Sequence, residues 1–164
     1  MKLLFLLACC FIIGAQAHAQ NMSNENAVRV VFQKMNDAWK AHDYGYTNDD
    51  IFDDSAVLIN PIGMFWKGKD EITKTLQYLG EVRFKHLKAI EDSIISIRFL
   101  SPSSALVLLH DVGEVTDDFT MPCETGITKK GERTEGFQSF TLVKQNETWR
   151  ITSITATEVV KGLR

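Results

Sequence analysis

The chain has 164 residues, of which 45% are hydrophobic and 24% charged, and its formal net charge is −3. These values are typical of one folded domain and exclude collagen-like and intrinsically disordered chains. A weakly acidic chain without a stripe of Lys and Arg also lacks the basic footprint of nucleic-acid-binding proteins, so we expect no nucleic-acid partner.

The first nineteen residues have the pattern of an export signal. Lys2 precedes an apolar run over residues 3–14, and Ala17-His18-Ala19 has the small-residue pattern of a cleavage site. The apolar run is too short for a transmembrane helix, which needs roughly 20 residues. We therefore predict a signal peptide over 1–19, cleaved after Ala19, with cleavage after Ala17 as the alternative. A single domain over 20–164 would then be secreted or periplasmic, with no membrane anchor.

Cleavage after Ala19 leaves one cysteine, Cys123, and three histidines that are far apart in sequence. One cysteine cannot form an intramolecular disulfide, and the histidine spacing does not match a zinc site. The sequence also has no Gly-rich phosphate loop and no nucleophile elbow. We therefore expect no metal and no cofactor, and a domain that depends on packing for its stability.

The mature chain begins with a predicted amphipathic helix. Apolar residues recur with helical spacing from Val28 to Trp39. Turn-forming residues from Asp43 onward have no apolar period, so the helix is expected to end near Ala41–His42.

A β-hairpin and a second helix are predicted next. The hairpin covers residues 56–68, where AVLINP is separated by Ile62-Gly63 from MFWKG. The second helix follows from the spacing of apolar residues over 72–79, with Gly80 at its expected C-terminal stop.

Four strand-like runs rich in Ile, Val, Phe and Thr fill the last half of the chain. They are Ile94–Leu100, Ala105–Val115, Glu135–Lys144 and Trp149–Val159. Short polar turns join the first run to the second and the third to the fourth, which predicts an antiparallel meander. Together with the helices and the hairpin, these strands predict an α+β domain in which a curved antiparallel sheet wraps around a helix layer.

Three segments resemble a known group of proteins. They are the helix that ends near Trp39, FDDSAVLINPIGMFWKGKDEI at 52–72, and SFTLVKQNETWRITSI at 139–154. They resemble SnoaL-like and ketosteroid-isomerase-like domains of the nuclear transport factor 2-like superfamily, in particular its SgcJ/EcaC-type members. The resemblance implies a cone-shaped, cystatin-like fold. Members of that superfamily with this fold include isomerases, cyclases, dehydratases, hydrolases and non-catalytic binding or assembly domains. The resemblance therefore implies a pocket and no single reaction.

The predicted strand over 105–115 carries ionisable residues between apolar neighbours. Alternation puts His110 and Glu114 on one face and Asp111 on the other. Buried carboxyl and imidazole groups can act as acids or bases near neutral pH, which makes His110, Asp111 and Glu114 candidate catalytic residues. We predict that His110 faces the cavity, because it interrupts an apolar strand. Asp111 is the alternative if the other face lines the cavity.

Large aromatic faces and a few polar groups are expected to line such a pocket. The candidate ligand-binding residues are Trp39, Tyr44, Asn60, Trp66, Tyr78, Gln138 and Phe140, and Tyr46 and Phe65 add further aromatic surface. The resemblance to SnoaL-like proteins implies a histidine on the final strand, which many of them carry. This chain has Ser153 and Thr155 at those places. This departure weakens the case for acid–base catalysis.

Three functions fit these observations. The sequence favours an exported protein that binds a small hydrophobic molecule in the cone. The alternatives are a cofactor-free isomerase or cyclase, and a dimeric assembly module. We also expect a homodimer, because apolar residues occur on both faces of strands 105–115 and 135–144, and two-fold pairing would bury the second face.

Overall fold

The computed structural model describes residues 22–48, 50–121 and 126–159. The predicted signal peptide over 1–19 and Cys123 lie outside these residues. The first helix, α1, covers residues 22–40 and buries Val28 and Phe32, as the apolar spacing predicts. It ends before His42, whose left-handed φ of 60° is incompatible with a continuing helix. Within the described part of the chain, no helix is long and apolar enough to cross a bilayer.

The predicted hairpin and second helix follow α1. Strands β1 (Phe52–Ile59) and β2 (Phe65–Lys67) pair in antiparallel fashion. Helix α2 covers Lys69–Val82, and a short 3-10 turn at Phe84–His86 leads into the rest of the sheet. These elements confirm the order that the sequence predicts.

Four long strands complete the chain: β3 (Leu87–Ser101), β4 (Ser104–Val115), β5 (Arg133–Gln145) and β6 (Thr148–Glu158). They form the predicted antiparallel meander. Strand β3 begins at Leu87, well before the predicted Ile94, and its register with β4 shifts after Ala89 and again after Ile94. Such bulges bend a strand and interrupt the alternation of its side chains, so the sequence pattern hides its first half.

The six strands have the order β2-β1-β6-β5-β4-β3. The α+β class and the packing of helices on one face of the sheet are confirmed. One pair differs from the antiparallel expectation, since β1 runs parallel to β6. The chain between them crosses the sheet, which brings the first and last strands side by side in the same direction.

The main hydrophobic cluster lies between the helices and one face of the sheet, which we call the inner face. Phe32 of α1 meets Phe140 of β5 edge to face at 5.0 Å, and Val107 and Ile151 are fully buried beside them. A second, smaller cluster contains Val115, Phe119 and Met121, with Leu79, Val82 and Leu87 packed against it. We call the opposite side of the sheet the outer face.

Candidate functional site

The inner face turns polar between the two hydrophobic clusters. On β4, Val107 belongs to the main cluster and Val115 to the second cluster. Asp111 lies between them on the same face, because it is an even number of residues from both. Its direct cross-strand neighbours are Asp92 on β3 and Gly136 on β5.

Two neighbours on β5 hold the Asp111 carboxylate in place. The side-chain Nε2 of Gln138 donates a hydrogen bond to Asp111 Oδ1 at 3.1 Å. Gly136 leaves the space that the carboxylate occupies, because a Cβ there would lie 3.3 Å and 3.4 Å from the two Asp111 oxygens and 2.7 Å from the Thr157 carbonyl oxygen. The carboxylate is therefore oriented by packing as well as by hydrogen bonding.

Asp92 and Asp111 form a directly opposed pair of carboxyl groups. Residues opposed in this way have Cβ atoms about 4.5–5.5 Å apart. Desolvation by the surrounding protein, followed by the negative charge of Asp111, raises the pKa of Asp92 above its usual value. Asp92 nevertheless remains exposed to solvent.

Tyr46, in the loop after α1, belongs to the main hydrophobic cluster. The side chain is 8% exposed, and no residue in the described ranges forms a hydrogen bond with its hydroxyl. Burial, and then the charges of Asp92 and Asp43, raise the pKa of Tyr46. The phenol therefore stays neutral and can donate a hydrogen bond. Its left-handed φ of 55° is a strained conformation of the kind that recurs at functional sites.

The loop that carries Tyr46 is fixed at both sides. Asp43 accepts hydrogen bonds from the backbone N–H groups of Thr47 and Asn48, at 2.9 Å and 3.1 Å. The backbone N–H of Gly45 donates to Gln77 Oε1 of α2 at 3.0 Å. Next to it, the ring of Tyr44 packs directly on Gly80 of α2, where a Cβ would come within 2.2 Å of the ring. The helix therefore determines where Tyr46 lies.

We call Tyr46, Asp92 and Asp111 the site group. It combines a neutral hydroxyl donor, a carboxyl group that is easier to protonate than usual, and a carboxylate held by an amide. Such a set can orient a polar ligand group and can accept or donate a proton. Among the residues that the structure describes, no three Asp, Glu, His or Cys side chains are arranged to hold a metal ion.

The prediction that His110 faces the cavity is wrong. Its Nε2 lies 3.1 Å from a carboxylate oxygen of Glu135 on the outer face, and its ring lies 4.9 Å from that of Phe137. Glu114 shares the outer face, in register with Lys88 and Arg133. The reason is that the core takes the odd-numbered residues of β4, so the even-numbered side chains point away. Asp111 is the one of the three candidates that reaches the inner face.

The predicted aromatic ligand-binding residues near α1 serve the packing of the fold. Phe140 is 1% exposed and packs on Phe32, so it fills the core. Trp39 meets Tyr44 edge to face at 4.9 Å and packs against Phe84 at 4.8 Å. Of the predicted ligand-binding residues, Gln138 is the one with a described hydrogen bond to the site group.

The remaining candidates lie away from Asp92, whose strand β3 is at the other edge of the sheet from β2. The side-chain oxygen of Asn60 accepts hydrogen bonds from the backbone N–H groups of Ile62 and Met64, so it closes the hairpin. Trp66 on β2 packs against the main cluster, and Tyr78 on α2 is 54% exposed. The sequence analysis did not select Asp92. The bulges of β3 decide which of its residues lie on the inner face, and the sequence does not reveal these bulges.

The sequence matches no protein-family model and no curated protein. Solved structures do share the fold. An uncharacterised protein with a cystatin-like fold from Caulobacter vibrioides has a TM-score of 0.67 and 22% identity, covering 84% of this chain and 90% of its own. The hexachlorocyclohexane dehydrochlorinase LinA-type3 from Novosphingobium barchaimii LL02 has a TM-score of 0.68 and 9% identity, covering 89% and 96%.

A third solved structure links the fold to the resemblance noted in the sequence. An NTF-2 like protein of unknown function from Shewanella oneidensis MR-1 has a TM-score of 0.56 and 18% identity, covering 82% of this chain and 98% of its own. Identities this low show the fold alone. The chain therefore has the cystatin-like, nuclear transport factor 2-like fold that its sequence resemblance implies.

Proposed function

We propose that the domain binds a small, largely apolar molecule at the inner face, with the site group orienting one end of it. The opposed carboxyl groups of Asp92 and Asp111, on the inner face between the two hydrophobic clusters, carry this proposal. Like charges directly opposed on a sheet are destabilising. Folded proteins keep such costs mainly where function needs them, so a ligand that meets these groups would explain why they are there.

Native mass spectrometry of the protein isolated from its own source tests this proposal. We expect a retained small molecule in the natural chain that is lost from an Asp111→Asn variant. Glu114→Gln is the matched control, because it removes one negative charge from the same strand on the outer face. No retained molecule, together with no stabilising compound in a thermal-shift screen, would contradict the proposal.

A cofactor-free acid–base enzyme is the second candidate. The raised pKa of Asp92 favours it, because a carboxyl group with a raised pKa can serve as a proton donor beside a second carboxyl group. In this candidate Asp111 accepts a proton from the substrate, while the Tyr46 hydroxyl donates a hydrogen bond to the group that gains charge. The LinA-type3 dehydrochlorinase has the same fold at 9% identity, so a domain of this fold can catalyse an elimination.

Hydrogen–deuterium exchange at carbon separates the two candidates. If Asp111 acts as a base, the bound molecule exchanges a C–H proton with heavy water, and NMR detects the loss of that proton signal. An Asp111→Asn variant should lose the exchange, and Glu114→Gln should keep it. A molecule that binds without any exchange or turnover would leave binding as the function.

We further propose that the protein is exported and that it is a SgcJ/EcaC-type member of the SnoaL-like proteins. The charge, apolar run and A-x-A pattern of residues 1–19 support export. Amino-terminal sequencing of secreted or periplasmic material should begin at Gln20, or at His18 if the earlier site is used. A cytoplasmic protein with Met1 intact would contradict export.

We also propose that the outer face pairs two copies of the chain. Apolar residues of β4 and β5 remain only partly buried there, among them Leu106, Leu108, Phe137 and Val143. A two-fold dimer would cover them with the same patch of the partner. Light scattering at micromolar concentration should give twice the mass of the mature chain, and a mass of one chain that is unchanged on tenfold concentration would rule the dimer out. A dimer that holds no ligand would favour the assembly function.

A further inference from the structure

The turn between β1 and β2 carries an exposed apolar patch outside the site group. We call residues 59–65 the hairpin tip. Four of its side chains are large, apolar and between 36% and 72% exposed: Ile59, Ile62, Met64 and Phe65. We infer that the hairpin tip inserts into the surface of a lipid bilayer of neutral phospholipids. This inference goes beyond the proposed binding function, does not depend on it, and requires no membrane-spanning helix.

The first observation is the lack of charge along the hairpin. No residue from 56 to 66 has a charged side chain, and Asn60 has the one polar side chain of the hairpin tip. The nearest charged residues along the three strands at this edge of the sheet are Asp54 on β1, Lys67 on β2 and Glu158 on β6. Both signs occur, so these surroundings do not select an anionic surface. An uncharged tip fits the uncharged interior of a bilayer, where a charged side chain is costly.

The second observation is independent of charge and concerns the backbone of the turn. Asn60 Oδ1 accepts hydrogen bonds from the backbone N–H groups of Ile62 at 3.2 Å and Met64 at 2.8 Å. The N–H of Asn60 donates to the Met64 carbonyl oxygen at 3.1 Å, and that of Gly63 donates to the Asn60 carbonyl oxygen at 3.0 Å. Pro61 has no N–H group. Every backbone donor of the turn is therefore satisfied within the turn, and removing the turn from water leaves none of them unpaired.

These two observations favour a bilayer over a protein surface as the partner. A protein–protein interface carries about one hydrogen bond per 100–200 Å². The turn offers no unpaired backbone N–H group to form such bonds, and Asn60 Oδ1 already accepts two. Hydrocarbon supplies no hydrogen-bond partners and requires that backbone groups be satisfied internally. The Ile, Met and Phe side chains can therefore enter the boundary between headgroups and acyl chains, where the apolar faces of interfacial segments lie about 5–10 Å deep.

The hairpin tip is separate from the apolar residues that are proposed to pair two copies of the chain. On β1, Ile59 is in register with Thr155 of β6. The same row continues through Ser139 of β5 to Leu108 of β4. Two hydroxyl side chains therefore lie between Ile59 and the outer-face residue Leu108. A dimer formed through β4 and β5 does not require the hairpin tip.

Co-sedimentation with vesicles of pure phosphatidylcholine tests the inference. The exported protein is used and its amino terminus is sequenced, so that the apolar run over residues 3–14 does not contribute. We expect the natural protein to bind and an Ile62→Ser variant to bind about tenfold more weakly, because it loses the transfer of one large apolar side chain.

Ile95→Ser is the matched control for this experiment. Ile95 is 51% exposed, as an apolar residue of the same type, but it lies on β3 at the opposite edge of the sheet from β2. This variant should bind vesicles as the natural protein does. Circular dichroism shows whether each variant is folded. A natural protein that does not bind, or an equal loss of binding in folded Ile62→Ser and Ile95→Ser, would overturn the inference.

Fluorescence determines whether the hairpin tip itself enters the lipid. A Phe65→Trp variant carries a reporter at the tip, and its added emission should shift to shorter wavelength on vesicles and be quenched by brominated phosphatidylcholine. Binding should not weaken in 1 M sodium chloride, because no charge takes part. An unshifted emission from vesicle-bound Phe65→Trp would overturn the inference. A requirement for phosphatidylglycerol, with loss of binding in salt, would assign the contact to surface charges and also overturn it.

Light scattering distinguishes a bilayer from a second copy of the chain as the occupant. Ile62→Ser should have the same mass as the natural protein. A lower mass for Ile62→Ser, with no vesicle binding by the natural protein, would show that the tip is a contact between copies and overturn the inference. Asp111→Asn should keep vesicle binding, because the site group takes no part in it. Failure of the vesicle experiment therefore leaves the proposed binding function untouched.

Discussion

Two groups of acidic residues in this fold have opposite surroundings, one with positively charged partners and one with a second carboxyl group beside it. Asp50, just before β1, accepts hydrogen bonds from Nε of Arg150 on β6 at 3.0 Å and from Nζ of Lys69 on α2 at 3.1 Å. These partners, Arg150 first and then Lys69, lower the pKa of Asp50 to about 2. Asp53 is lowered in the same direction by the hydroxyl and backbone N–H of Ser55. Each carboxylate of this group meets donors.

The site group lacks such compensation. Asp111 receives one side-chain hydrogen bond from Gln138, Asp92 faces the charge of Asp111, and the Tyr46 hydroxyl has no partner among the described residues. The same chain that supplies Arg150 and Lys69 to one acidic group therefore places two carboxyl groups together elsewhere on the sheet. The first arrangement contributes to stability and the second costs stability, which is why we propose a binding site at the second.

The largest effect is expected from filling the space beside Asp111. Gly136→Ala should lower the free energy of unfolding by about 1–3 kcal/mol, because the new methyl group would overlap the Thr157 carbonyl oxygen and press on the Asp111 carboxylate. Ligand binding should fall as well. Chemical denaturation measures the first effect. Gly126→Ala is the control, because no atom of the described residues lies within 4 Å of a Cβ there. Equal stability of the two variants would contradict the packing described at Gly136.

A smaller loss is expected from removing the cation of the compensated group. Arg150→Gln should reduce the free energy of unfolding by about 1 kcal/mol at low salt, a value kept modest because Asp50 is 53% exposed. The difference from the natural chain should shrink in 1 M sodium chloride, where exposed charges are screened. Urea titrations at two salt concentrations measure it, and a difference that salt does not change would show that packing, rather than charge, is responsible.

The opposite sign is expected at the site group. Asp92→Asn should raise the free energy of unfolding by about 0.5–1 kcal/mol at pH 7, because it removes a like-charge contact of an exposed and therefore partly screened group. The pKa of Asp92 is raised in the folded state, so ionising this residue costs stability as the pH rises through that pKa. The gain should therefore be present at neutral pH and disappear below about pH 4, where Asp92 is protonated in both states. Unfolding midpoints between pH 3.5 and pH 7 test the sign, and a destabilised variant at pH 7 would refute it.

The smallest effect is expected on the outer face of the same strand. Glu114→Gln should change the free energy of unfolding by less than about 0.5 kcal/mol, because Glu114 is exposed and makes no buried contact. It should also leave ligand binding unchanged. A loss of binding comparable with that of Asp111→Asn would mean that the outer face contributes to the site.

Most of the fold follows from local patterns. Helix α1 and strands β4 to β6 are predicted to within a few residues, because each has one buried face and its apolar residues repeat with the period of that element. The start of β3 is not predictable in this way. Its bulges break the two-residue period between Leu87 and Ile94, and a bulge depends on the partner strand as much as on the strand itself.

The sequence by itself determined that His110 and Asp111 lie on opposite faces of one strand, because a strand alternates wherever it is placed. Only the tertiary structure decided which of them points inward, since that depends on the packing of Phe32 from α1 against Phe140 and Val107. The meeting of Asp92 with Asp111 likewise depends on the register between β3 and β4, and the position of Tyr46 on the attachment of its loop to α2. These contacts join residues that are far apart in the chain, and no local period encodes them.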